Sequence, residues 1–344
     1  MNKIFEYGGV ENIPLYNCSA MSPDAWTSQF GMQRPILGII SISYGSIMEV
    51  LFIPSLLAML DKDLWCLSCY KIMFFVGIVD MLALAMNSIS TGVLAFEGAV
   101  FCTHSVFIYL AGLCGLGLWC CSCLMNIMLL VNRTLNVANS SFSERLFEGY
   151  RTYLMLLVPI VYGFYFIFFT PTCVFSSRYY AWFYDPFIFP NRTSEYTNVA
   201  HGVNNLMIMC GTFVFYAYIC YVLCKANRTG KSSRIHIQSY QILYQSVAIC
   251  FINQVSSSVY VVMNFITVPE WLIVVAQLMM PGDHLHDNEP NYSIRIGESR
   301  LCRQQQYDPS STVTLAEHES DFDLIVTARM DFLKFEYFEN NKVI

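Results

Sequence analysis

Apolar residues run along this chain in long blocks divided by short polar ones, the pattern of a protein that crosses a membrane several times. The clearest block, Ser105 to Asn132, reads SVFIYLAGLCGLGLWCCSCLMNIMLLVN and holds no charge between His104 and Arg133. As a helix rising 1.5 Å per residue it runs roughly 42 Å, more than the ~30 Å hydrocarbon core of a bilayer. At helical spacing, Tyr109, Gly112, Leu116, Trp119, Cys123, Asn126 and Arg133 keep to about a third of the circumference. Lipid satisfies no hydrogen bonds, so that face belongs against protein or water and the helix belongs inside a bundle.

Five further blocks are long enough to span: Pro35 to Leu60, Ile72 to Phe96, Thr152 to Phe175, His201 to Cys224 and Ile242 to Ile266. Glu49 interrupts the first, Asp80 is the single charge of the second, and Pro159 in the fourth predicts a kink. From Asp80, Asn87 is seven residues on and Thr91 eleven, which places all three within about 20° of one direction on a helix. Asn205, Thr212 and Tyr216 repeat the spacing in the fifth block, and Asn253, Ser257, Tyr260 and Asn264 form a comparable row in the sixth. Such edges converge on a partly wet interior, or they serve only to hold helices together, which is the plainer reading of any single residue.

A seventh block opens at Glu270-Trp271, but Leu272 to Met280 gives only nine residues, about 14 Å, before Pro281-Gly282-Asp283. The stretch beyond Pro281 is polar and reads as disordered. The expected architecture is an all-α membrane protein, a seven-helix bundle with an incomplete or atypical seventh helix. It comprises an amino-terminal segment over residues 1–34, the bundle over 35–280 and a polar acidic tail over 281–344.

Composition agrees: 55% hydrophobic residues, 13% charged residues and a mean hydropathy of +0.45 fit no ordinary water-soluble domain. The net charge of −6 lies wholly in the tail, since residues 1–280 hold 13 basic and 13 acidic residues and 281–344 hold 6 and 12. No basic patch suits a nucleic acid, and the partners expected are membrane lipids. The short loops give the orientation. Lys62, Lys71, Arg133, Arg145, Arg151, Lys225, Arg228, Lys231 and Arg234 share one side, against Lys3, Arg34, Arg178 and Arg192 on the other. The amino terminus is thus expected outside, where the glycosylation acceptors Asn17 (Asn17-Cys18-Ser19) and Asn191 (Asn191-Arg192-Thr193) are both reachable. Met1 to Gln33 is polar and lacks the apolar core of a cleavable signal peptide, so it is expected to stay attached.

No paired catalytic carboxylates, nucleophile elbow or phosphate-cradling glycine loop is present, so no enzyme and no cofactor is expected. Cys120, Cys121 and Cys123 read as soft packing residues of an apolar span, and His284 and His286 are a pair without further ligands, so no metal site is assigned. Glu49 and Asp80 could instead serve as ion or proton sites of a transporter or channel. No broken-helix pair or internal repeat supports that alternative.

Several short stretches carry a resemblance. Tyr16-Asn17-Cys18-Ser19, Cys69-Tyr70-Lys71-Ile72-Met73 with Gly77-Ile78-Val79-Asp80, Phe101-Cys102, Gly115-Leu116-Gly117-Leu118-Trp119, Val131-Asn132-Arg133 and Ala181-Trp182-Phe183-Tyr184-Asp185-Pro186 stand in order along the chain. Together they resemble the nematode serpentine receptor class T family over about residues 10–280. The resemblance implies a seven-helix chemosensory receptor of the plasma or ciliary membrane, coupled to a heterotrimeric G protein. On that reading an external small molecule binds near Asn87, Tyr109, Asn205, Tyr260 and Asn264, and Asn132, Arg133, Arg145, Lys231 and Arg234 face the G protein.

Asn132 stands where rhodopsin-like receptors carry an acid before the arginine, and the sixth span lacks their proline bend. The family's seventh helix is not completed after Met280. Either the sequence there departs into unrelated residues, which is the preferred explanation, or the product is a six-span, non-signalling isoform. Cys18 and Cys102 are the two cysteines placed clearly outside, and a disulfide between them is expected, with Cys173 the competing partner and free thiols the alternative.

Overall fold

The computed structural model describes residues 2–138, 140–190, 192, 195–228, 255 and 258. The sixth and seventh blocks, the tail, Asn191, Lys231, Arg234, Tyr260 and Asn264 lie outside the described residues. Five described helices are long and apolar enough to cross a membrane. They are α1 (Pro35–Met59), α2 (Ser68–Glu97), α3 (Ser105–Ala138), α4 (Arg151–Phe169) and α5 (Val199–Arg228). The protein is an all-α, multi-pass membrane protein, its one sheet a two-stranded hairpin among the described residues.

Their positions follow from helix physics. Pro35 begins α1 at the first turn, where its missing N–H would have no acceptor in any case. Gly98, at φ +73°, takes the left-handed conformation that closes α2. Within α2, residues Ala85–Ser90 widen into a π-turn, and the Ser90 and Thr91 hydroxyls donate to the carbonyls of Ala85 and Met86, five residues back. The helix continues through Pro159 in α4 and through Pro54 in α1.

α3 is the centre of the bundle: 72% of its apolar window is buried by protein, against 22% for α1 and 28% for α4. Ile36, Ile39, Ile47 and Val50 of α1, and Leu154, Leu157, Val158 and Val161 of α4, stay uncovered, as lipid-facing side chains must. Small residues bring the axes together. A Cβ on Gly38 of α1 would lie 2.7 Å from the Gly92 carbonyl oxygen of α2, and the converse holds at 2.7 Å. Ser41 and Ser88 cross-bond beside them, each hydroxyl donating to the other's carbonyl, at 3.1 and 2.7 Å. Gly117 and Gly163 do the same service between α3 and α4.

Several boundaries differ from the sequence expectation, α3 running on past Asn132 to Ala138 and α5 covering Val199–Arg228 rather than His201 to Cys224. The fourth span stops at Phe169, not Phe175, because Thr170 turns extended ahead of Pro171. Val174–Ser176 then becomes β1, paired antiparallel with β2, Ala181–Phe183. The second span starts at Ser68, four residues before Ile72.

The amino-terminal segment is folded more fully than its polarity suggests. Short helices at Lys3–Tyr7 and Pro23–Phe30 and tight turns at Val10–Asn12 and Pro14–Tyr16 bury Val10, Ile13, Leu15, Tyr16 and Trp26. These pack with Phe101, Ile108 and Tyr109 at the start of α3, and with Phe175, Tyr180, Ile188 and Tyr196 of the segment that follows α4. We term this layer the cap.

Candidate ligand site and the polar seam

The cap is fastened covalently. Cys18 and Cys102 form a disulfide with their Cα atoms 5.5 Å apart, as expected, while Cys173 remains a thiol beside the Gly112 carbonyl. Burial pushes the Cys173 thiol up to about 12, which keeps it protonated at ordinary pH. Trp26 donates its indole N–H to the Cys18 carbonyl at 3.0 Å, and the Thr27 and Thr103 hydroxyls share a bond of 2.7 Å. Asn17 is exposed on this layer, its side chain accepting from the Ser19 N–H at 2.9 Å.

Beneath the cap lies a cavity of about 30 Å³ lined by Lys3, Leu15, Tyr16, Tyr109, Thr172 and Tyr196, among others. That is room for roughly one or two waters and far from the several hundred Å³ of an ordinary ligand pocket. Burial raises the phenols of Tyr16 and Tyr196, the latter to about 12, so both are neutral hydrogen-bonding groups at ordinary pH. Tyr196 donates to the Leu15 carbonyl at 2.7 Å. At the rim Arg192 pairs with Glu195 through two bonds of 2.9 and 3.1 Å, holding the Glu195 carboxyl below its usual range, and donates to the Pro14 carbonyl.

Tyr109, predicted for the ligand site, reaches this layer but points at the amino-terminal segment. Its hydroxyl donates to the side-chain oxygen of Asn2 at 2.5 Å. Asn87 is buried on α2 facing Gly115 of α3, so it stands six residues, nearly two turns, along α3 from Tyr109. Asn205 is buried on α5, where it accepts from Asn204, which in turn accepts from the Tyr162 hydroxyl of α4. The three expected residues therefore engage different neighbours: Tyr109 the amino-terminal segment, Asn87 the face of α3 at Gly115, and Asn205 the Asn204–Tyr162 pair between α5 and α4. Asn2, Tyr16 and Tyr196 carry no helical period, and only the Tyr-rich composition of the loops hinted at them.

Asp80 is wholly buried and accepts from the Ser122 hydroxyl at 2.8 Å, with Asn126 donating on to Ser122 at 3.4 Å. Asp80 and Asn87 thus both face α3, as their seven-residue spacing implies, while Thr91 meets the indole of Trp182. Glu49 is half-buried on α1.

At the opposite end of the bundle Asn132 donates to Ser68 at 3.0 Å, and Arg133 is buried against the Met73 sulfur at 3.1 Å. Asn132 Oδ1 and Arg133 Nε find no hydrogen-bond partner among the described residues. Arg145 is exposed on the short helix Ser140–Phe147.

The described residues thus define a multi-pass helical membrane protein wound around one buried helix, with a cap at one end, a buried arginine at the other and polar contacts between them. The chain belongs to the family of serpentine type 7TM GPCR chemoreceptors, Srt, whose model matches residues 3–283. It is similar to serpentine receptor class T-55 of Caenorhabditis elegans, with 25% identity over 271 residues that make up 78% of this chain and 73% of that protein. The family match ends close to Met280.

Proposed function

We propose that the chain is a chemosensory receptor of the plasma or ciliary membrane, with its amino terminus outside, that detects an external small molecule and signals through a heterotrimeric G protein. The observation that carries this is the pairing of a polar, aromatic-lined cavity under a fastened cap with a buried arginine at the other end of the same helix, α3, in a chain of receptor kinship. Ligand enters from the cap side at Tyr109 and, as the bundle opens beyond the present small cavity, reaches toward Asn87 and Asn205, joined by Tyr260 and Asn264 from outside the described residues. Its different affinity for two packings of the bundle then frees Asn132, Arg133 and Arg145, with Lys231 and Arg234, to meet the G protein. The acceptors Asn17 and Asn191 carry glycans on the outer side. The family match and the packing of α3 argue for a receptor rather than a solute pathway, and nothing in the seam calls for catalysis.

The test is a calcium-response screen of volatile and soluble small molecules on cells expressing the chain with a complete seventh helix. A response is expected that Arg133→Ala removes without lowering the surface level, and an epitope ahead of Pro35 should be accessible on intact cells. An ion current that Asp80→Asn abolishes would replace the receptor reading with a channel. Sequencing the full transcript across Met280 to Pro281 decides whether the tail over 281–344 belongs to the receptor.

A further inference from the structure

The end of α4 is completed by a residue 165 positions away. A helix leaves its last carbonyls without intrahelical donors. Here the Thr170 hydroxyl serves Phe166, and Asn2 serves Ile167, Phe168 and the Thr170 carbonyl just beyond the helix. Its backbone N–H donates to the Phe168 carbonyl at 2.6 Å, and its side-chain nitrogen to those of Thr170 at 2.8 Å and Ile167 at 3.4 Å. Tyr109 closes the ring by donating to the Asn2 oxygen at 2.5 Å, and Asn2 is only 2% exposed. The Tyr109 hydroxyl and two carbonyl acceptors of the bundle thus surround the carboxamide, whose oxygen also accepts from the Ile4 N–H of its own helix at 3.3 Å, and the capped cavity adjoins it through Tyr109 and Lys3.

We propose that this niche is a ligand subsite closed by the chain's own Asn2, and that it takes a small neutral molecule bearing a primary carboxamide or urea-type group. The polar set selects that chemistry. A carboxylate would set its charge against two carbonyl oxygens, and an ammonium, having donors only, offers no acceptor to the Tyr109 hydroxyl. A carbonyl flanked by N–H donors satisfies all three protein groups at once. The cavity is too small for a ligand while Asn2 stays, so binding requires the amide to leave. Only residues 2–7 need swing out: their short helix buries no side chain and ends at left-handed Gly8, while Val10, Ile13, Leu15 and Tyr16 stay packed in the cap and keep Asn2 at an effective concentration of about a millimolar near its niche. An external amide must outcompete that tether. Its role as agonist rests on the receptor reading, whereas its binding does not.

The test uses the full chain in lipid nanodiscs with acetamide as probe and acetate and methylammonium as controls, the Cys18–Cys102 bond confirmed by non-reducing peptide mapping. In the Asn2→Gly variant acetamide is expected to raise the melting temperature saturably, at concentrations about tenfold or more below any effect on the unsubstituted chain. Adding Tyr109→Phe should weaken this by about three- to tenfold, the value of one neutral hydrogen bond. In the unsubstituted chain, high acetamide should quicken hydrogen exchange over residues 2–7, and acetate should not. An Asn2→Gly chain that keeps the disulfide but shows no acetamide-specific shift overturns the proposal. So does unchanged exchange in the unsubstituted chain, whether or not the variant folds. Acetamide binding without signalling by any amide would sink the receptor reading and leave the niche standing. Signalling indifferent to Tyr109→Phe would do the reverse.

Discussion

The two ends of the bundle are held by different means. At the cap, a disulfide, an indole-to-backbone bond and the hydrogen bonds of Asn2, Tyr196 and Arg192 fix one arrangement. At the other end Met59, Met73, Met125 and Met128 pack with Leu64, Ile72, Val76 and Phe147. There Asn132 and Arg133 are buried with one polar atom each lacking a partner among the described residues. Directional bonds specify a single geometry, whereas unbranched thioether side chains repack with little loss. The difference teaches where a change of state can be made: the methionine-lined end can rearrange around its arginine while the cap keeps its frame.

Removing the covalent fastening tests this most severely. The Cys18–Cys102 loop spans 84 residues, and Cys102→Ala should cost about 4.5 kcal/mol of stability in the chain-entropy account. Thermal unfolding in nanodiscs reads it, and an unchanged melting temperature would mean that the non-covalent contacts alone hold the cap. The opposite end should answer with the opposite sign. Arg133→Met removes a buried, poorly paired charge, and stability is expected to hold or rise by about 1–4 kcal/mol while signalling is lost. A large destabilisation there would break the contrast.

Smaller changes sharpen it. Tyr196→Phe leaves the Leu15 carbonyl without its donor and should cost about 1–2 kcal/mol. The Tyr196 phenol is raised from 10.0 to about 12 in the fold. Its contribution is therefore complete below pH 10 and lost as pH rises toward 12, so the cap should loosen in alkali, and the variant should lack that part of the transition. Glu195→Gln should have the least effect, since its pair with Arg192 is exposed. Its lowered carboxyl implies support present above the ordinary carboxylate value and lost as pH falls through the lowered one. Hydrogen exchange over residues 10–16 in acid would register it.

The five described spans were legible because membrane solvation imposes long uncharged runs, and Asp80 and Asn87 were legible because a seven-residue step returns to one helix face. The disulfide followed from sorting cysteines by compartment. The cap was not legible: Val10, Ile13, Leu15, Tyr16 and Trp26 sit on tight turns with no steady period and bury against distant residues. Asn2 was invisible for the same reason, because a donor set completed by the end of α4 leaves no trace in its own neighbourhood. The π-turn at Ala85–Ser90 likewise has no sequence signature, although it alters the helical count between Asp80 and Thr91.

The distance along the chain between the bonded cysteines also orders the protein's biosynthesis. On the topology proposed above, with the cap delivered to the lumen, Cys18 would emerge and wait while two hairpinned helices are threaded into the bilayer before Cys102 arrives. At about 5–20 residues per second that delay is about 4–17 seconds. Cys173 leaves the ribosome later still, so on that topology the partner Cys102 would reach the oxidising compartment ahead of its rival, and chain order itself would guard against the wrong bridge.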